Sequence, residues 1–234
     1  MTHPAPLAAW TPPPLPGPDR IEGRYAVLER LSAERHAADL FEANRADDAM
    51  WDWLPYGPFG SQAVYHRWLA EQETRQDPFF YAIADRATGR WQGVQSLLRI
   101  DAAQGVIELG HVALSPALQR SRVATEAFTL LIGWAFEAGY RRFEWKCNAR
   151  NLPSRAAAQR LGLSYEGIFR QAAIVKGHNR DTAWFAAIDG EWPGLQAAYA
   201  AWLDPSNFDA EGRQIDRLGN LTGLVLANRD PALG

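Results

Sequence analysis

Residues Val106 to Thr125, VIELGHVALSPALQRSRVAT, decide how the rest of the chain is read. Val106 to Leu114 is apolar with one embedded carboxylate, Glu108, which is the composition of a strand. Ser115-Pro116 ends it, because proline has no amide to give to a ladder. Then the period changes. Val123, Ala127, Leu130, Leu131, Trp134 and Ala138 recur at helical spacing, and Gly139 stands where a helix stops. The first amides of such a helix have no internal partner and lie at the positive end of its dipole. The stretch therefore predicts an anion site where a strand hands over to a helix.

Working outward, Phe79–Ala84 and Trp91–Ile100 are strands by their β-branched and aromatic content, joined to each other and to Val106–Leu114 by the turn sequences 85–89 and 101–105. Arg24–Arg30 reads as a first strand, Ser32 as the cap of a helix to about Arg45, and Ser61 as the start of a second helix to about Arg75. Beyond the long helix, Arg141–Cys147 is a strand and Asn151–Leu161 a short helix. Ser164–Lys176 and Asp181–Ile188 form a hairpin turned at residues 176–180. Residues 1–20 contain seven prolines and read as an extended or disordered segment outside the fold. The domain proper spans 21–192. The extension 193–234 carries one short amphipathic pattern, Leu195–Leu203, and either packs back or serves a partner subunit.

A chain of 234 residues with 47% hydrophobic and 22% charged residues buries a substantial core. No apolar run approaches the ~20 residues that span a bilayer, and the N-terminus lacks a basic start followed by an apolar block, so no membrane partner is expected. Cys147 stands alone, which excludes an internal disulfide and, with these points, favours the cytoplasm. Residues 119–180 carry eleven Lys or Arg against four Asp or Glu, while the remainder has thirteen against twenty-three. Such a local excess attracts a compact polyanion, whereas the acidic remainder opposes nucleic acid.

Gln119-Arg120-Ser121-Arg122-Val123-Ala124 is similar to the Q/R-x-x-G-x-G/A pyrophosphate loop of the GCN5-related N-acetyltransferases (GNATs). Thr125-Glu126-Ala127 continues it as in the RimJ/RimL-like branch, and Asn151-Leu-Pro-Ser154, Leu161-Gly162-Leu163 and Glu166-Gly167 follow in that branch's order. The resemblance covers most of residues 23–190. It implies a mixed α/β fold whose mostly antiparallel sheet of six to seven strands is split by the acetyl-CoA groove and flanked by about four helices. It also implies acetyl-CoA as cofactor, with Val112, Ala113 and Leu114 lining the pantetheine arm and the amides of Gln119, Arg120, Ser121, Arg122, Val123, Ala124 and Thr125 at the pyrophosphate. Asn151 and Ser154 would lie near the arm and the sulfur. No metal is expected.

Arg122 occupies the place of the loop's usual glycine, so it must take ordinary helical geometry or point its side chain away. With Arg120 it could supply phosphates with charge-assisted hydrogen bonds. Glu108 matches the catalytic glutamate of the histone-acetylating branch and by strand alternation shares a face with Val112, while His111 faces the other side. Its alternative role is a structural carboxylate paired with an arginine. The tyrosine that serves many relatives as acid is replaced by Ala158, leaving Ser154 as hydrogen-bond donor, and Lys146 stands where another subset has a glutamate. Trp51, Trp53, Tyr56 and Phe59 either cover the core or wall the acceptor side. The expected reaction is direct acetyl transfer to a primary amine of a small molecule or a protein N-terminus. The competing reading is a catalytically silent acyl-CoA-binding module. An isologous homodimer through strands or the tail is a common arrangement.

Overall fold

A computed structural model describes residue 7 and residues 9–234. Eight strands form one sheet: β1 (Arg20–Glu22), β2 (Ala26–Arg30), β3 (Phe79–Asp85), β4 (Trp91–Asp101), β5 (Val106–Leu114), β6 (Arg142–Asn148), β7 (Ser164–Val175) and β8 (His178–Ile188). Their spatial order is β1-β2-β3-β4-β5-β6-β8-β7, antiparallel everywhere except between β5 and β6. The helices are α1 (Ala33–Asn44), α2 (Gln62–Glu73), α3 (Arg122–Glu137), α4 (Leu152–Arg160), α5 (Trp192–Leu203) and α6 (Leu218–Thr222). Among the described residues, no helix is long and apolar enough to cross a membrane.

The eighth strand arises because the segment expected as one strand from Arg24 breaks into a turn. Glu126 on α3 accepts the amides of Arg24, Tyr25 and Ala26 at 2.8, 2.6 and 2.6 Å, which bends the chain there and pairs Arg20–Glu22 with Val27–Glu29. Gly23 fits because a Cβ on it would lie 2.3 Å from the Glu126 carboxylate. The β7–β8 hairpin turns more tightly than expected. Lys176 and Gly177 both have positive φ and Val175 pairs with His178, the geometry of a two-residue turn.

Two cores lie on opposite faces of the sheet. Leu109, Phe143, Cys147 and Phe185 join Ala127, Leu131 and Ala135 of α3 in the larger one, and Phe80, Ala82 and Val94 join Leu40 and Leu69 of α1 and α2 in the other. The extension packs back. Leu195, Tyr199, Trp202 and Leu218 belong to the larger core, Tyr199 donates to Leu161 O, and Asp230 forms a buried ion pair with Arg155. Residues 10–18, expected as part of a loose segment outside the fold, join it: Pro13 and Pro16 are buried, and Trp10, Tyr81 and Tyr140 donate to Gly139, Pro18 and Pro14 carbonyls, while residues 1–6 and 8 of that segment lie outside the described residues.

Candidate active site

The head of α3 is built by Ser121. Its hydroxyl accepts the amide of Ala124 at 3.0 Å and donates to Leu118 O at 2.7 Å, while Arg120 turns the chain with a φ of 61°. Among the described residues the amides of Arg120, Arg122 and Val123 have no partner, and they sit at the positive end of a sixteen-residue helix. Arg122 is the first helical residue, and its guanidinium lies 4.5 Å from the Tyr25 ring centre and 5.3 Å from that of Phe208. The position taken by glycine elsewhere thus tolerates arginine, because positive φ falls on Arg120 instead. Gln119 donates to Leu114 O and ties the loop to the end of β5.

Sequence reasoning missed Arg160. From the last turn of α4 it donates to Thr125 Oγ1 at 3.2 Å, has no carboxylate partner among the described residues, and burial lowers its pKa. It thus holds a second positive charge behind the head of α3. Nothing in its sequence surroundings marks it, since the approach is made by two helices far apart in the chain.

Beside this head the sheet opens. The parallel pairing of β5 with β6 ends at Leu109 opposite Trp145, whereas β5 remains paired with β4 as far as Leu114. Residues 110–114 therefore present an unpaired edge inside the sheet. Ser115 N donates to Gln92 O, so the alternation of the ladder commits Ala113 to β4 and turns the backbone groups of Val112 and Leu114 toward the opening. On the far side Asn151 caps α4 by accepting the Ser154 amide, and Ser154 Oγ accepts Trp145 Nε1 at 3.0 Å beside the Cys147 thiol. Burial raises the Cys147 pKa, as suits a core residue. Ala158, in the place of the expected tyrosine, is buried in the same core.

The register of β4 with β5 shifts between Ser96 opposite Gly110 and Val94 opposite Ala113, a bulge that leaves His111 with a φ of 50°. This corrects the alternation expected along the strand. Val112 packs against the core under α3, and His111 shares the opposite face with Glu108. His111 Nδ1 lies 3.2 Å from Tyr56 Oη, and its ring stacks on Tyr56 and tilts against Phe80. Burial, then the charges of Arg99, Arg75 and Arg180, hold its pKa down at about 4. Trp51, Tyr56 and Phe59 pack into the second core around it, while Trp53 is 43% exposed.

Glu108 is 2% exposed and doubly engaged. Both oxygens accept Arg99 Nη1 at 2.8 Å, and Lys146 Nζ lies 2.9 Å from Oε2. Lys146 also reaches Glu144 at 2.6 Å, and Lys146 with Arg142 holds the Glu144 carboxyl below its usual pKa against the opposing effect of burial. The arrangement is that of a carboxylate paired with an arginine, the alternative role foreseen for it.

The family model for an acetyltransferase (GNAT) domain matches residues 26–164. A GCN5-related N-acetyltransferase from Brucella melitensis is 45% identical, with 93% of this chain and 100% of that one aligned at a TM-score of 0.90. A probable GNAT-family acetyltransferase from Chromobacterium violaceum is 42% identical over 82% of this chain and 98% of that one, with a TM-score of 0.78. The microcin C7 self-immunity acetyltransferase MccE, solved in complex with acetyl-CoA and AMP, shares the fold at 20% identity and a TM-score of 0.63 over 71% of this chain and 93% of that one. No curated protein matches the chain.

Proposed function

The chain belongs to the GNAT acetyltransferase family, and from that premise we propose that it moves an acetyl group from acetyl-CoA directly to a primary amine. One observation carries the reading: three partnerless amides at the head of α3 open beside the unpaired edge of β5. A diphosphate satisfies such amides and the helix dipole together. The edge formed by Val112 and Leu114 offers backbone hydrogen bonds to an extended amide-bearing chain. The residues present therefore fit acetyl-CoA, which when bound supplies a thioester-activated acetyl group.

The remaining chemistry falls to side chains around the opening. Ser154 Oγ accepts from Trp145 and lies beside the Cys147 thiol, so its own hydrogen has only to turn from that sulfur toward one in the opening. His111 is neutral at physiological pH, and in the tautomer whose Nδ1–H donates to Tyr56 its Nε2 is free to take a proton from an amine. Glu108 acts as a positioning residue that fixes Arg99 and Lys146 around that face. Acetyl-CoA incubated with an amine panel, with thiol release followed, tests the reading. Turnover that His111→Asn depresses more than Glu108→Gln supports it. Tight CoA binding without turnover of any amine points instead to the silent binding module.

A further inference from the structure

The sheet face opposite α3 carries a row of alternating charges: Arg99, Glu108, Lys146, Glu144, Arg142 and Glu166 touch in that order, three cations balancing three carboxylates. Arg180 stands outside the row. On β8, Ala183, Phe185 and Ala187 enter the core under α3, so Arg180, Thr182 and Trp184 look the other way, beside Lys146, whose ammonium lies 3.9 Å from the Trp184 ring centre. The Arg180 side chain makes no hydrogen bond or ion pair among the described residues. Its Nε is buried without a partner, and so is Trp184 Nε1 four residues along the same strand face.

Two buried donors left unpaired on one strand face are costly, and a guanidinium without an anion more so. Such a pair is characteristic of a site completed by a ligand. β6 runs on past the end of its pairing with β5, and Thr182 lies opposite Asn148 at its tip, so the face carrying Arg180 and Trp184 borders the opening, within reach of the charges on Glu108 and Arg99. We propose that Arg180, together with Trp184 Nε1, receives an oxyanion carried by the acceptor, so that the acceptors are primary amines bearing a carboxylate or phosphate a few atoms from the nitrogen. This rests on the acetyl-transfer reading above. It also couples binding to chemistry: an anion on Arg180 offsets one of the charges that suppress the proton affinity of His111.

The test uses acceptors that differ only in the anion: amino acids and their carboxamides, aminoalkyl phosphates and the corresponding alcohols, each compared per concentration of free base. The first pair favoured over its neutral partner identifies a carboxylate, the second a phosphate. The preference in kcat/KM is expected to be roughly tenfold to a hundredfold, the range set by one charged hydrogen-bonded contact. In Arg180→Gln that ratio falls toward one through KM, while the variant melts no lower than the wild type because an uncompensated buried charge has gone. A calorimetric titration with the N-acetylated products reads the same contact without turnover. Equal use of charged and neutral amines, or a preference that survives in Arg180→Gln, overturns the proposal while leaving acetyl transfer intact. Loss of acetyl-CoA binding in that variant assigns the anion to the coenzyme and overturns it too. If no amine is acetylated and the products bind without regard to charge, both readings fail.

Discussion

His111→Asn separates the imidazole from the rest of the site in a way that stability alone can read. Asparagine tolerates the φ of 50° found there, so the bulge survives the change. In the folded protein burial, then the charges of Arg99, Arg75 and Arg180, hold the imidazole pKa down at about 4, against an ordinary 6.5. Between those limits the unfolded chain binds a proton that the native state refuses, so stability falls as pH drops from 6.5 toward 4 and is retained above 6.5. At roughly 1.4 kcal/mol per pH unit the gap allows about 3 kcal/mol, and partial access of solvent to the ring trims this to about 2–3 kcal/mol. For a domain of this size that corresponds to about 4–12 °C in melting temperature. His36, whose pKa burial also lowers, contributes with the same sign but is present in both proteins and cancels in the difference. Melting curves from pH 7.5 to 4 should thus converge: the variant starts lower, having lost its stacking on Tyr56 and Phe80, and gives up less as the pH falls. Parallel curves would refute the assignment of an imidazole held neutral by burial and the flanking arginines.

Two further changes probe the frame around the site. Glu126→Ala orphans three amides at the β1–β2 turn; about 3–5 kcal/mol of stability should be lost by denaturant titration, and a loss below about 1 kcal/mol would show that the turn holds itself. Asp230→Asn leaves the buried Arg155 guanidinium without its counter-ion at a cost of about 3 kcal/mol, and should expose the segment after Leu221 to protease; unchanged proteolysis would place the anchor elsewhere, in the bonds of Ala227 and Asn228 to Ser164 and Tyr165.

Most of the frame was legible because it follows from local pattern. Val106–Leu114 is bounded by its proline, and Ser61 and Asn151 stand at the starts of the helices they were expected to open. Ser32 precedes α1 without a side-chain bond, its amide donating to His36 instead. What escaped depends on pairing between distant segments. A bulge adds one residue to β5 and reverses the parity of everything beyond it, and only the partner strand reveals it; hence His111 and Glu108 share a face that alternation had divided. The ion pairs of Glu108 come from β4 and β6, and Arg160 approaches Thr125 from another helix. The prolines before Arg20 suggested a loose segment. Proline lacks a donor but not apolar surface, and Pro13 and Pro16 use theirs against the domain.

The central claim is that bare amides at the head of α3 bind the diphosphate of coenzyme A, and one pair of variants addresses a single amide. Arg122 is the first helical residue and Ser121 before it has a ψ of 161°, so proline fits there and deletes the N–H while leaving the helix intact. Arg122→Ala removes the same side chain and keeps the amide. In calorimetric titrations with CoA, Arg122→Pro should bind roughly tenfold or more weakly than Arg122→Ala, the share of one hydrogen bond to a charged phosphate. Equal affinities in the two variants, or no heat of binding with the unaltered protein, would contradict the account.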